Sequence, residues 1–271
     1  MHKPIIYRNS RGKSLEFGSR ELFINDTDIF DYSWDYDTGF GRISNFRRGE
    51  VEKKLIISVY GATDAEATER RNRVFEVCEQ DVLTGNAGRL WVGDYYLNCY
   101  ITEGKVKAYN KQGRYLQQEI KIITDTPVWI KETKYNFYVD YISGNSFYPH
   151  GYPYDYANSL SINSIFNSHF TDSNFELTIY GAVTNPTVYI NGSPYTVNTE
   201  LLTGERLTIN SIEKTIIKTE ANGTKVNEFN KRDKVNSVFK LIETGSNLVS
   251  WPKTFSFDLT LFSERSAPEW T

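Results

Sequence analysis

Apolar and polar positions along the first half of the chain alternate between two periods. Lys54-Leu55-Ile56-Ile57-Ser58-Val59-Tyr60 reads as a strand that Gly61 ends, and Thr63-Asp64-Ala65-Glu66 follows with the spacing of a capping box. From there Ala67, Val74, Cys78 and Val82 recur at helical spacing, with Arg70 to Arg73 and Glu76 to Asp81 on the wet side. Gly85 is placed to stop the helix. Arg89 to Val92 and Tyr95 to Ile101 are strand-like runs around Gly93-Asp94, a pair suited to a type II′ hairpin turn. A further pairing is expected between Lys105–Tyr109 and Tyr115–Thr124.

Thr126-Pro127-Val128-Trp129 then punctuates the chain, and the Tyr-rich stretch from Lys131 to Asn158 shows neither period, which puts a domain boundary near residue 131. In the second half Val188-Tyr189-Ile190 and Tyr195-Thr196-Val197 flank Asn191-Gly192. Asn222-Gly223 separates Thr215–Thr219 from Val226–Phe229. Short strands at this spacing predict a sandwich or jelly roll. No repeat or heptad run argues for a solenoid or coiled coil.

Length and composition sharpen this picture. At 271 residues the chain can hold two cores, and an aromatic content of 15% favours strands and contact surfaces. Lys plus Arg total 31 against 34 for Asp plus Glu, a net charge of −3, so no basic field is available to bind nucleic acid through its phosphates. No signal-peptide core and no long apolar run is read in the sequence, and no membrane association is expected. Cys78 and Cys99 have no CxxC spacing, which suits a reduced protein made in the cytoplasm.

Candidate chemistry is sparse. The acidic cluster Asp26, Asp28, Asp31, Asp35 and Asp37 lacks the spacing of a calcium loop and reads as a solvated, aromatic-interleaved strand and loop. Gly39-Phe40-Gly41-Arg42-Ile43-Ser44 lacks the third glycine of a dinucleotide fingerprint. His2, His150 and His169 stand beside no nucleophile motif. A glycosidase would need a carboxylate pair, with Trp129 or Trp251 as sugar platforms. The NxS/T triplets at Asn25, Asn191 and Asn222 would be glycan acceptors only in a secretory pathway, which nothing in the sequence supports, and the second and third are explained as turn chemistry. No catalytic, metal or cofactor residue is nominated. The glycine-rich segment Thr38 to Gly49, with Gly39, Phe40, Gly41, Arg42, Arg47 and Arg48, and the Tyr-Pro stretch with Tyr148, Tyr152, Tyr154 and Tyr156, are candidate contact surfaces.

The order of short patterns resembles one family. Val59-Tyr60-Gly61, a charged helix, Gly88-Arg89-Leu90-Trp91, Tyr96-Leu97-Asn98-Cys99-Tyr100 and Thr126-Pro127-Val128-Trp129 look like the N-terminal module of bacteriophage distal tail proteins of long, non-contractile-tailed phages. Phe175 to Gly181, Asn185-Pro186, Ile190-Asn191-Gly192, Leu202-Thr203-Gly204-Glu205, Phe229 to Arg232 and Gly245-Ser246-Asn247 are similar to the family's C-terminal β-sandwich.

The resemblance implies a mainly β fold: an N-terminal β-sandwich-like ring domain with one α-helix over residues 1–131, and a C-terminal galectin-like β-sandwich over 132–271. It implies a non-enzymatic virion component, made in the host bacterial cytoplasm, that forms a homohexamer at the distal end of the tail tube. There it would join the tail tube protein to a tail-associated lysin or tail fibre protein, with a receptor-binding protein or host cell-wall sugar as further partners. DNA would pass through the channel without specific binding. An arm of the N-terminal module embraces the neighbouring subunit in the family, and the glycine-flanked loop Thr38 to Gly49 is the candidate for it here. The rival reading is a carbohydrate-binding module that recognises host glycans; a wall-degrading enzyme ranks behind it.

Overall fold

The computed structural model describes residues 4–110, 114–139 and 163–269, and these fold into two compact units. One comprises Met1–Lys131 together with Glu264–Thr271, the other Glu132–Ser263. Both are built from antiparallel strands, so the fold is mainly β.

In the first unit the strands are β1 (Ile5–Arg8), β2 (Ser14–Phe17), β3 (Leu22–Thr27), β4 (Asp35–Gly39), β5 (Arg42–Arg47), β6 (Val51–Tyr60), β7 (Gly88–Val92), β8 (Tyr95–Asn110), β9 (Tyr115–Thr124) and the start of β10 (Trp129–Phe137). One sheet runs β2-β1-β7-β8 and a second runs β3-β6-β9-β8. Strand β8 serves both: Tyr95 to Cys99 pair with β7, and Tyr100 to Asn110 pair with β9. A bulge between Ile101 and Glu103 lies just past the switch, where the extra residue lets the strand bend. The turn between β7 and β8 is Gly93-Asp94 as expected, with φ at Gly93 of 59°, the positive value that a type II′ turn requires there.

Helix α1 (Asp64–Thr84) packs against this framework. The Glu66 amide donates to Thr63 Oγ1 at 3.2 Å, and the Glu66 carboxylate accepts from the Ala62 amide at 3.0 Å, so the capping box forms one residue out of its usual frame. Gly85 closes the helix at φ 66°, a left-handed position that a Cβ would strain. The buried stripe is Ala67, Val74, Val77, Cys78 and Asp81. Val82, expected in that stripe, is 43% exposed. At about 100° per residue it lies roughly a quarter-turn away from the others.

The first core gathers Tyr7, Phe17, Ile29, Leu55, Ile57, Leu90, Leu97, Ile120 and Trp129 with the helix's Val74, Val77 and Cys78. A buried polar staple ties α1 to β1. Tyr7 Oη donates to Asp81 Oδ2 at 2.6 Å, while the Ser10 amide and hydroxyl donate to Asp81 Oδ1 at 2.9 and 2.6 Å. Burial, then the bond to Asp81, pushes the Tyr7 phenol far above its ordinary value. Gly88 lies so close that a Cβ there would fall 2.4 Å from both Tyr7 Oη and Asp81 Oδ2.

The second unit contains β11 (Asn163–Asn167), β12 (Asn174–Tyr180), β13 (Val183–Thr184), β14 (Thr187–Ile190), β15 (Ser193–Thr196), β16 (Glu200–Leu201), β17 (Arg206–Asn210), β18 (Thr215–Thr219), β19 (Lys225–Asn227), β20 (Gly245–Ser250) and β21 (Phe257–Arg265). Strands β19-β18-β17-β12-β21 form one sheet, β11-β20-β14-β15 another, and β13-β16 a two-stranded patch. Phe175, Leu177, Ile179, Leu207, Ile209, Phe257 and Leu259 from the first sheet share a core with Ile165, Val188, Ile190, Tyr195 and Val249 from the second. This is the sandwich arrangement that the alternation predicts.

Asn191-Gly192 makes the expected two-residue turn, with φ of 48° and 74°. Asn222-Gly223 does not: strand pairing stops at Thr219 and Lys225, and only Gly223 has positive φ. There Asn222 Oδ1 accepts from the Thr224 amide at 2.8 Å and supports a longer connection.

Candidate functional site

The candidate site grows out of the end of β3. Past the bulge between Ile24 and Asp26, Thr27 Oγ1 accepts from the Ile29 amide at 3.2 Å, and Asp28 Oδ1 accepts from the Lys54 amide at 2.7 Å. These bonds turn the chain so that Ile29 is fully buried as a plug. Lys53 Nζ donates to the carbonyls of Asp28 and Asp31, and burial lowers its pKa despite those two nearby acids. The root of the segment is therefore fixed to the core.

Beyond that root the chain leaves the body. Strands β4 and β5 pair only with each other, with Gly39 opposite Arg42 and Phe40-Gly41 as a two-residue turn. Phe40 has φ 50° and Gly41 φ 73°, the two positive values of a type I′ turn, so the glycine-rich segment is a hairpin arm rather than a loop. A phenylalanine in the left-handed region is uncommon. This one is also fully exposed, at 110% relative accessibility.

The arm carries a greasy surface into solvent. Tyr32, Trp34, Tyr36, Ile43 and Phe46 are all exposed alongside Phe40, and every residue of β5 is exposed. Internal support is light: Arg47 pairs with Asp37 at 2.9 Å, and the Tyr36 and Phe46 rings lie 6.4 Å apart. An isolated two-stranded hairpin is marginal in water, and burying one large apolar side chain contributes about 1.5–3 kcal/mol. The arrangement is suited to binding a protein surface and has no chemistry of its own.

Arg48 anchors the arm's base. Its guanidinium stacks 3.9 Å from the Trp34 ring centroid, and Nη2 donates to Ser266 Oγ at 2.9 Å. Burial lowers its pKa, with the Glu264 carboxylate opposing that shift. Of the six arm residues nominated from sequence, Gly39, Phe40, Gly41, Arg42 and Arg47 thus lie in the projecting hairpin, and Arg48 lies at its root. Tyr148, Tyr152, Tyr154, Tyr156 and His150 fall outside the described residues.

The other candidates resolve into structural roles. Asp28 and Asp37 are engaged as above, and Asp26 Oδ1 accepts from the Thr27 amide at 2.9 Å. No group of three or more His, Cys, Asp or Glu converges among the described residues. Trp129 is 1% exposed in the first core, and Trp251 packs edge-on against Phe137 and Phe257 while Nε1 donates to the Phe255 carbonyl, so neither is a sugar platform. Cys78 and Cys99 are buried free thiols whose pKa values burial pushes up to about 12. His169 is buried beside Phe170, its ring centroid 4.3 Å away. No helix among the described residues is long and apolar enough to cross a membrane.

Reasoning from sequence overlooked most of the arm's apolar contacts, namely Tyr32, Trp34, Tyr36, Ile43 and Phe46. The period-two spacing of Tyr32, Trp34 and Tyr36 was the available signal.

No protein-family model matches the chain, and no curated protein matches it in sequence. Solved structures do. The SPP1 Dit protein (gp 19.1), described as a paradigm of the hub adsorption apparatus in phages infecting Gram-positive bacteria, aligns at TM-score 0.58 and 8% identity, covering 97% of this chain and 98% of that one. Chains of the phage P2 baseplate in its activated conformation, one with Ca and one with Sr, align at TM-scores of 0.59 and 0.60, each at 13% identity over 99% of this chain and 100% of theirs. The chain has the fold of these phage hub and baseplate proteins.

Proposed function

We propose that the chain is a structural hub of a phage tail, a homohexameric ring at the distal end of the tail tube. The observation that carries this reading is the end-to-end likeness to a hub adsorption protein, over 97% of this chain and 98% of the other. The exposed β4–β5 arm supports it, because a projecting apolar hairpin is a hazard on a solitary molecule and an asset when identical copies close on one another.

In this reading the N-terminal unit builds the ring, and the arm carrying Phe40 and Arg42 reaches the next subunit. The galectin-like C-terminal sandwich projects outward to engage other tail proteins. The ring joins the tail tube protein to a tail-associated lysin or fibre, with a receptor-binding protein or cell-wall sugar at its rim. DNA passes through the channel without specific binding, and the net charge of −3 suits a duplex that must slide. The work is mechanical, so no catalytic residue or cofactor takes part.

Negative-stain microscopy of the purified full chain, with light scattering in parallel, tests this. Six-fold rings are expected. A solitary protomer that persists at high concentration would overturn the proposal.

A further inference from the structure

The second unit has two unlike outer faces. On the β19-β18-β17-β12-β21 sheet, the side turned from the core carries Glu176, Arg206 and Asp258, and Asp258 is tied to Lys134 at 2.8 Å. The β11-β20-β14-β15 sheet differs. Its core residues Ile165, Val188, Ile190, Tyr195 and Val249 alternate with outward ones, and no outward position on these four strands carries a charge. In a chain of which 24% is charged, such a face is fitted to an uncharged partner.

The register sorts the outward residues into a pattern. Ser164 lies opposite Leu248, Phe166 opposite Ser246, and Tyr189 opposite Ser250. Phe166, Leu248 and Tyr189 therefore fall on one diagonal across β11, β20 and β14, with a serine beside each. Diagonal neighbours on a sheet stand about 7–8 Å apart, which makes the row about 15 Å long. Its three apolar side chains are open to solvent, at 62%, 56% and 42% exposure, and the three serines are exposed with them. Past Tyr189 the hydroxyls of Thr187 and Thr196 meet at 3.0 Å and continue the neutral, hydroxyl-bearing surface.

We propose that this face binds a neutral glycan, with sugar rings laid along the Phe166–Leu248–Tyr189 row. The inference rests on the hub reading with a cell-wall sugar as partner, and it names the surface and the class of sugar. A pyranose ring has an apolar C–H side and a fringe of hydroxyls; the row meets the first and the flanking serines meet the second. A protein partner suits the face less, because protein interfaces are rich in Arg and poor in Ser, and here serines line the row with no arginine among the outward positions. A polymer bearing phosphate or carboxylate groups finds no cation on these strands to pair with. On a ring, several copies of the face would combine weak contacts into firm attachment.

The purified full chain, applied to an array of neutral hexose oligosaccharides with glycerol-phosphate and uronic-acid polymers alongside, tests the face separately from the ring. Retention on neutral probes is expected. Phe166→Ser combined with Tyr189→Ser should lower it at least about tenfold, and Leu248→Glu, which sets a charge in the middle of the row, should do the same. All three positions are exposed, so the melting temperature should hold. Ile212→Ser, exposed on the turn between β17 and β18, should bind as the native chain does; an equal loss there would overturn the assignment. So would retention on the charged polymers alone, or neutral binding that survives the face variants. If no sugar binds and the face variants instead lose a co-purifying tail protein, the face belongs to a protein and the proposal fails. Rings in micrographs without glycan retention would sink the glycan face and leave the hub reading intact. Face-dependent retention without rings would support the glycan face and refute the hub.

Discussion

The staple between Tyr7 and Asp81 offers a quantitative test of what holds α1 to the sheets. Both residues are 0% exposed, and their side chains are joined at 2.6 Å. Tyr7→Phe keeps the ring and removes one hydrogen bond to a carboxylate, which costs about 2 kcal/mol. Asp81→Ala removes the acceptor for Tyr7 and for both Ser10 donors, and strands the Tyr7 hydroxyl in the core. That cost is about 4 kcal/mol: a buried orphan donor plus two bonds whose donors can partly return to water. In the double variant the orphan disappears together with its partner, so the total falls below the 4 kcal/mol of Asp81→Ala and the coupling energy exceeds about 2 kcal/mol in magnitude. Because the chain has two units, a single unfolding midpoint would mix their contributions. Native-state hydrogen exchange on peptides from β1 and α1 isolates the relevant opening. Effects that add within about 0.5 kcal/mol would refute the idea that Tyr7 and Asp81 act as one unit.

Three further outcomes are expected. On the ring reading, Phe40→Ser should leave the melting temperature of the dissociated chain unchanged while weakening each seam by about 2 kcal/mol, or roughly thirtyfold, in sedimentation at graded concentrations; an equal loss in both measurements would mean that the arm packs on its own body. Burial pushes the Asp258 carboxyl up, but hydrogen bonds from Lys134, Tyr180 and Asn136 together outweigh it and hold the group below its ordinary value. Stability from this cluster is therefore present above the unfolded carboxyl value near 4 and fades as pH falls through the lower folded one. Asp258→Asn should flatten that acid limb in urea titrations. Finally, iodoacetamide at pH 8 should leave Cys78 and Cys99 unmodified in the folded chain and label both in urea, since their thiols are buried with pKa values near 12.

Local chemistry was legible in the residues wherever one short segment carried the whole signal. Thr63 and Glu66 announce the start of α1 and Gly85 its end, while Gly93-Asp94 and Asn191-Gly192 set their hairpins through φ alone. Non-local arrangements left no such trace. The break read between Ile101 and Lys105 falls beside the point at which β8 passes from β7 to β9, but that one unbroken strand serves both sheets left no mark in the residues, because that choice is made by partners remote in sequence. Trp129 and Trp251 look the same in sequence whether they face sugar or core; only packing against Phe137 and Phe257 decides for Trp251. The arm was half visible. Its glycines signalled a turn, but a strand pair with no buried face lacks the alternation of wet and greasy sides that identifies ordinary strands.

The shared strand β8 bears on how the first unit carries a load. A pull on the β7 side reaches β9 along the peptide bonds of one continuous backbone, without relying on side chains to transmit it. Layers joined only by greasy contact can slide or peel apart, whereas here a covalent thread runs from one to the other. Force arriving at either layer is shared before any single row of hydrogen bonds must carry it alone.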